Sequence, residues 1–101
     1  TWARYPAEEG IAPEVSGSHA GEFEASMLAA IRPDLIRKDA LAAGDPRPLG
    51  EIAEQMMQEG IHTVSTNGVL GDQRPVDADR GNRYLDVLAD YLVRDFEKEL
   101  S

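Results

Sequence analysis

His19 and, a little over one helical turn later, Glu24 are the residues of this chain best placed to do chemistry. They sit in the segment Ser18-His19-Ala20-Gly21-Glu22-Phe23-Glu24-Ala25-Ser26-Met27-Leu28, whose pattern turns helical near Gly21. An imidazole titrates near neutral pH, so it can give or take a proton under working conditions. A helix mouth adds unpaired backbone N–H groups and a positive dipole end, which favour the neutral ring and suit developing negative charge. Gly17 and Gly21 bracket the histidine and let the main chain approach whatever the ring touches. Glu24 falls in the first helical turn, where a carboxylate stabilises the helix by around 0.3–1 kcal/mol whatever else it does. It either orients His19 or a neighbouring loop, or serves the helix alone. Ser18 and Gly21 are expected to line the substrate pocket beside the ring.

Other polar residues offer less. Ser26 has no base at a plausible spacing, so its hydroxyl is expected to be packed or bonded to the helix backbone rather than nucleophilic. Glu22 reads as solvent-facing. His62 has no acid at ligand spacing and reads as structural or exposed. Two widely separated histidines and no cysteine make no recognisable metal cluster. Thr1 could use its own amine as a base, but no neighbouring feature supports that, and a chain that starts there reads as a processed one.

The elements that must hold these residues follow from periodicity. A helix is expected over residues 21–31 with Phe23, Met27, Ala30 and Ile31 on one stripe, ended by Pro33. A turn or loop over 34–37 leads to the breaker cluster Gly44-Asp45-Pro46-Arg47-Pro48. A second helix is expected over 49–59, with Leu49, Ile52, Ala53 and Met56 inward and Gly60 as its stop. Residues 61–65 alternate like a short strand, and Asn67-Gly68 and Gly71-Asp72 mark turns. The last helix starts after Asp77 as N-cap and runs to near Glu99. Its apolar stripe of Tyr84, Leu85, Leu88, Tyr91, Leu92 and Phe96 needs a substantial partner surface. Residues 1–17, with two prolines and no helical period, read as an irregular arm packing on a partner; residues 18–101 form the helical and strand portion. Trp2 or Tyr5 would pack rather than contact substrate.

Composition narrows the class. The formal net charge is −9 over 101 residues, and no cysteine is present. That charge opposes nucleic-acid binding. The absence of cysteine rules out disulfides and gives no sign of an oxidising compartment, so a cytoplasmic protein is expected. No apolar run approaches the roughly 20 residues that span a bilayer, so no membrane role is expected.

The segment 18–28 resembles the HAGxxETS element of the creatininase family of metal-dependent amidohydrolases. The resemblance continues through Leu28-Ala29-Ala30-Ile31-Arg32-Pro33-Asp34-Leu35-Ile36-Arg37 and returns at Asn67-Gly68-Val69-Leu70-Gly71-Asp72, with Gly81 following. Ala25 stands where the family has threonine, and Gln73 where proline is usual. The resemblance implies an α/β creatininase-like layered fold with a mostly parallel sheet, to which this chain supplies C-terminal helices and a short strand. It implies hydrolysis of a C–N bond in a small cyclic or linear amide, with His19 moving the proton and Glu24 supporting it. It implies divalent metal ions (zinc or manganese, or iron) held mainly by residues outside this chain. The partners it implies are an N-terminal half or companion chain, and further copies in a homo- or hetero-oligomer. Within the same family, the peptidases that mature the mycofactocin peptide and a formamide deformylase are alternatives. A non-catalytic stabilising subunit is the alternative of another class.

Overall fold

The computed structural model describes residues 2–100, so the readings of Thr1 fall outside the described residues. In chain order the helices are α1 (Tyr5–Glu8), α2 (Pro13–Ser16), α3 (Glu22–Ile31), α4 (Leu49–Glu59) and α5 (Ala78–Leu100). Single 3-10 turns occupy Trp2–Arg4, Pro33–Leu35, Lys38–Ala40 and Ile61–Thr63. The bounds of the three long helices lie close to those expected. Asp77 caps α5 as expected: its Oδ1 accepts the Arg80 N–H at 2.8 Å. Pro33 closes α3, whose last helical residue is Ile31. None of the helices is long and apolar enough to cross a membrane among the described residues.

The expected strand at 61–65 is not there. The segment folds on itself: Val64 and Ser65 N–H groups both reach the Ile61 carbonyl, at 3.1 and 2.9 Å. The Thr63 hydroxyl donates to the Gly60 carbonyl at 2.7 Å. Backbone groups satisfied locally have none left for a ladder, and alternation alone cannot supply a neighbouring strand. Among the described residues there is no strand, only isolated antiparallel bridges at His19–Leu70 and Ala43–Asp72. The parallel sheet expected from the resemblance therefore has no counterpart in these residues.

The main packing is α3 against the first half of α5. The two backbones touch at Gly81, where a Cβ would lie 1.8 Å from the Ser26 carbonyl oxygen, so only glycine fits the crossing. The buried face of α3 is Glu22, Phe23, Ser26 and Ala29. This differs from the apolar stripe expected: Ile31 is 61% exposed, and Met27 and Ala30 are half-buried. Glu22, expected in solvent, is fully buried. Tyr84 donates its hydroxyl to both Glu22 oxygens at 2.8 and 2.9 Å, and Ser26 donates at 2.9 Å. Arg80 adds an ion pair at 2.6 Å. Ser26 also accepts the Asp77 N–H at 3.1 Å, so its hydroxyl joins two helices rather than bonding its own backbone. Satisfied in this way, a carboxylate can occupy a core that hydropathy would assign to leucine. Burial, followed by the bond to Glu22, pushes the Tyr84 phenol far above its ordinary range.

A second, smaller core joins Ile52 of α4 with Val64 and Leu70, flanked by Met56 and Ile61. Leu49, expected inward, is 44% exposed. The arm of residues 2–17 contains short helical turns that its lack of period does not reveal. It lies on α3 and α5 of its own chain. Trp2 packs on Phe23 with ring centres 5.4 Å apart, Tyr5 meets Tyr84 edge-on at 5.9 Å, and Arg83 pairs with Glu9 at 2.6 Å. Trp2 and Tyr5 thus pack, as expected.

Candidate functional site

Three stretches of loop meet around residues 69–73. On one side, Leu70 gives its carbonyl to the Ser18 N–H at 2.8 Å and its N–H to the His19 carbonyl at 2.8 Å, while Asp72 donates to the Val15 carbonyl at 2.9 Å. On the other, Gly44 donates to Gly71 at 2.8 Å and Asp45 to Val69 at 3.0 Å. The two family-like blocks, 18–28 and 67–72, are therefore bonded to each other at the histidine. Gly17 makes this possible. It has φ of +76°, and a Cβ there would lie 2.1 Å from the Leu70 carbonyl oxygen. The glycine spacing read as clearance for a ligand serves the approach of backbone to backbone.

His19 sits just ahead of α3, whose N-cap is Gly21. Its main chain is fixed by Leu70, but its ring is exposed and makes no hydrogen bond among the described residues. Ala20 adopts a left-handed φ of +56°, a conformation that costs on the order of 1–2 kcal/mol for a residue with a Cβ. The carboxylate of Glu24 accepts the Ala20 N–H and holds this turn. Of the roles open to Glu24, the structure displays a bond to the loop bearing His19, in the manner of a helix-capping acid reaching back past the N-cap.

His19 and Glu24 line one open cleft of about 350 Å³, together with Ala25 and Leu28 of α3. Its far wall is the 35–41 segment, including Leu35, Ile36 and Leu41. Arg37 and Gln73 are polar lining residues that sequence reasoning did not select. Gln73 also accepts the Ala42 N–H at 3.3 Å. Arg37 pairs with no acid among the described residues. The signal for Arg37 was available, as the last residue of the family-like run from Leu28, but charge at a loop position does not reveal which way it serves. The other two expected pocket residues lie elsewhere. Ser18 lines a separate recess with Gly17, Pro13, Arg47 and Leu49. Gly21 is buried, and a Cβ there would stand 2.5 Å from the Ser16 carbonyl oxygen. His62 is exposed on its 3-10 turn, as expected.

Among the described residues no group of three or more His, Cys, Asp or Glu side chains could hold a metal ion. The described residues thus do not fit the divalent ions that the resemblance implies. The acids flanking the site are committed to arginines. Asp72 is drawn below its usual range chiefly by the Arg74 guanidinium two residues on, and Asp45 likewise by Arg47. What the cleft offers is one free imidazole, one free guanidinium and an apolar wall.

The family model described as creatinine amidohydrolase (creatininase) matches residues 1–96. Among curated proteins, the mycofactocin precursor peptide peptidase of Mycobacterium ulcerans is 37% identical over 76 residues, covering 75% of this chain and 30% of that protein. The peptidase of the same name from Mycolicibacterium smegmatis is 39% identical over 66 residues, covering 65% of this chain and 27% of its own. That from Mycobacterium tuberculosis is 36% identical over 76 residues. The chain thus spans about 30% of the length of the first of these relatives. No solved structure gives a significant match. With a family match across nearly its whole length and hydrolases as relatives, this chain belongs to the creatininase family.

Proposed function

We propose that this chain carries the proton-transfer side of a creatininase-family hydrolase that cleaves a C–N bond. The observation that carries the reading is the placement of His19. Its backbone is pinned to Leu70, while its ring is left unbonded at the rim of a cleft. An amine leaves poorly unless protonated, and a positioned imidazole is suited to supply that proton. Glu24 supports the reading by holding the Ala20 turn that aims the histidine. Of the small cyclic or linear amides and the peptides that the family resemblance allows, the names of the curated relatives favour a peptide amide.

The family's ions, whether zinc, manganese or iron, are assigned in this proposal to polypeptide outside these residues, since no donor set occurs among the described ones. The same polypeptide, a companion chain or the rest of the domain, is proposed to cover the second half of α5. There Leu92, Val93, Phe96 and Leu100 are each more than half exposed. Further copies in an oligomer complete the proposed assembly.

Replacing His19 with alanine in the assembled enzyme tests the reading. The ring makes no hydrogen bond, so folding is expected to be unchanged, while kcat falls roughly 10²–10⁴-fold. Unchanged turnover would refute the proton-transfer role and favour a stabilising, non-catalytic subunit.

A further inference from the structure

The second half of α5 carries an apolar stripe with a distinctive charge pattern. At about 100° per residue, Leu85, Leu88, Leu92, Val93, Phe96 and Leu100 fall on one side of the helix. Tyr84, which faces Glu22 of α3, lies about a third of a turn round from that stripe. Acids border the stripe on both edges, Asp86 and Glu97 on one and Asp95 and Glu99 on the other. All four are exposed, and none is in an ion pair among the described residues. The basic residues of this half, Arg94 and Lys98, fall on the opposite side, with Arg94 over the Tyr91 ring at 5.8 Å.

Charge decides among the occupants of this surface. A second copy paired through the same stripe would set acid against acid along both edges. No other surface of the chain supplies the missing cations. Five arginines are already held by acids of their own chain. Arg4, Arg37 and Lys38 stand in short turns rather than on a helical face. An anionic lipid surface is repelled for the same reason.

We propose that the second half of α5 docks an amphipathic helix whose apolar stripe runs between two rows of lysine or arginine. Apolar side chains at the centre supply most of the affinity, while the charges at the rim fix orientation and reject acidic partners. From Leu85 to Leu100 the stripe is about 22 Å long, which calls for roughly four turns of partner helix. This gives a chemical character to the polypeptide proposed to cover α5, and it uses none of the chemistry at His19.

Three synthetic peptides of about 20 residues test the surface against the whole chain by isothermal calorimetry. One is a helix with a leucine stripe edged by lysine, and the second has glutamate in place of lysine. The third is a scrambled lysine peptide of the same composition with no stripe. The lysine-edged helix is expected to bind at least about 10-fold tighter than either of the others, and more weakly as salt rises. Phe96→Glu should weaken it about 30-fold or more. Asp86→Lys combined with Glu97→Lys reverses one edge and should erase the preference for lysine over glutamate, with circular dichroism verifying that helix content is kept. Lysine-peptide binding that survives Phe96→Glu, equals that of the scrambled peptide, or ignores the reversed edge is mere attraction to a chain of net charge −9, and overturns the proposal. Absence of binding by any peptide also overturns it. So does sedimentation showing that the chain pairs with itself at low salt and that Phe96→Glu splits the pair, since the occupant is then a second copy. None of these measurements reads turnover, so the hydrolase reading stands or falls separately on His19→Ala.

Discussion

Removing the carboxylate of Glu22 tests the argument that a polar cluster, not an apolar stripe, joins α3 to α5. The side chain is completely buried and takes bonds from Tyr84, Ser26 and Arg80 at 2.6–2.9 Å. In Glu22→Ala the Tyr84 hydroxyl, on a residue 1% exposed, loses its acceptor. The Arg80 side chain, only 14% exposed, keeps its charge without its partner. Breaking a buried pair from one side costs about 3–5 kcal/mol, a large share of the roughly 5–15 kcal/mol that holds a domain together. Glu22→Gln keeps the volume and one carbonyl acceptor but forfeits the charge-assisted bond to Arg80, so about 1.5–3 kcal/mol is expected. Tyr84→Phe should cost about 1–3 kcal/mol, because an acceptor then loses its donor in the core. Urea unfolding followed by circular dichroism measures all three, and a Glu22→Ala, Arg80→Ala cycle isolates the pair. A Glu22→Ala loss within about 0.5 kcal/mol, the usual range for surface substitutions, would refute the cluster and restore the solvent-facing position that patterning implies.

Further outcomes follow from other contacts. Gly81→Ala should destabilise by about 1–3 kcal/mol by forcing α5 off the Ser26 carbonyl, whereas Gly50→Ala, where a Cβ meets nothing within 4 Å, should stabilise by roughly 0.5–1 kcal/mol. Thermal melts compare the two, and equal effects would discredit the helix crossing. Hydrogen bonds from Arg83, then Tyr5, hold the Glu9 carboxyl below its ordinary 4.5. The unfolded chain therefore binds the proton more readily, so this contribution is complete above about that pH and fades as acidity carries the group through its lower folded value. Arg83→Gln should flatten that acid limb by lowering the melting temperature near neutrality while leaving the most acidic end nearly unchanged; an identical profile would show the contact to be idle. Phe96→Glu should abolish association with whatever covers the second half of α5 while leaving the helix content of this chain intact, as read by sedimentation and circular dichroism. Undiminished association would place the interface elsewhere.

Much of the frame was legible in the sequence because its punctuation is chemical. Pro33 and Asp77 each mark a boundary that backbone sterics or capping enforce, and the bounds of α4, residues 49–59, are those its pattern implies. His19 was legible as a candidate because it stands ahead of a helix in a family-like block. The interior was harder. Glu22 and Ser26 are one turn apart and share a face, but nothing in a hydropathy pattern announces that Arg80 and Tyr84, 58 and 62 positions after Glu22, satisfy its carboxylate. Ser18 and Gly21 do not line the His19 cleft for a similar reason. Neighbours of a histidine in sequence need not neighbour its ring, and here the chain turns through Ala20 between them. The 61–65 strand failed because alternation describes side chains, while a ladder depends on a partner backbone.

Leu70 gives that geometry an unexpected reach. Its side chain is sunk in the cluster with Ile52 and Val64, and its amide and carbonyl hold the histidine loop. One residue is thus the hinge-pin between a patch of grease under α4 and the imidazole at the rim. A directed-evolution campaign that retunes the proposed activity would be expected to recover changes at Ile52 or Val64. Their discoverers would be tempted to look for a contact with substrate where none is needed, because a shift of Leu70 is passed by its backbone bonds to the main chain of His19.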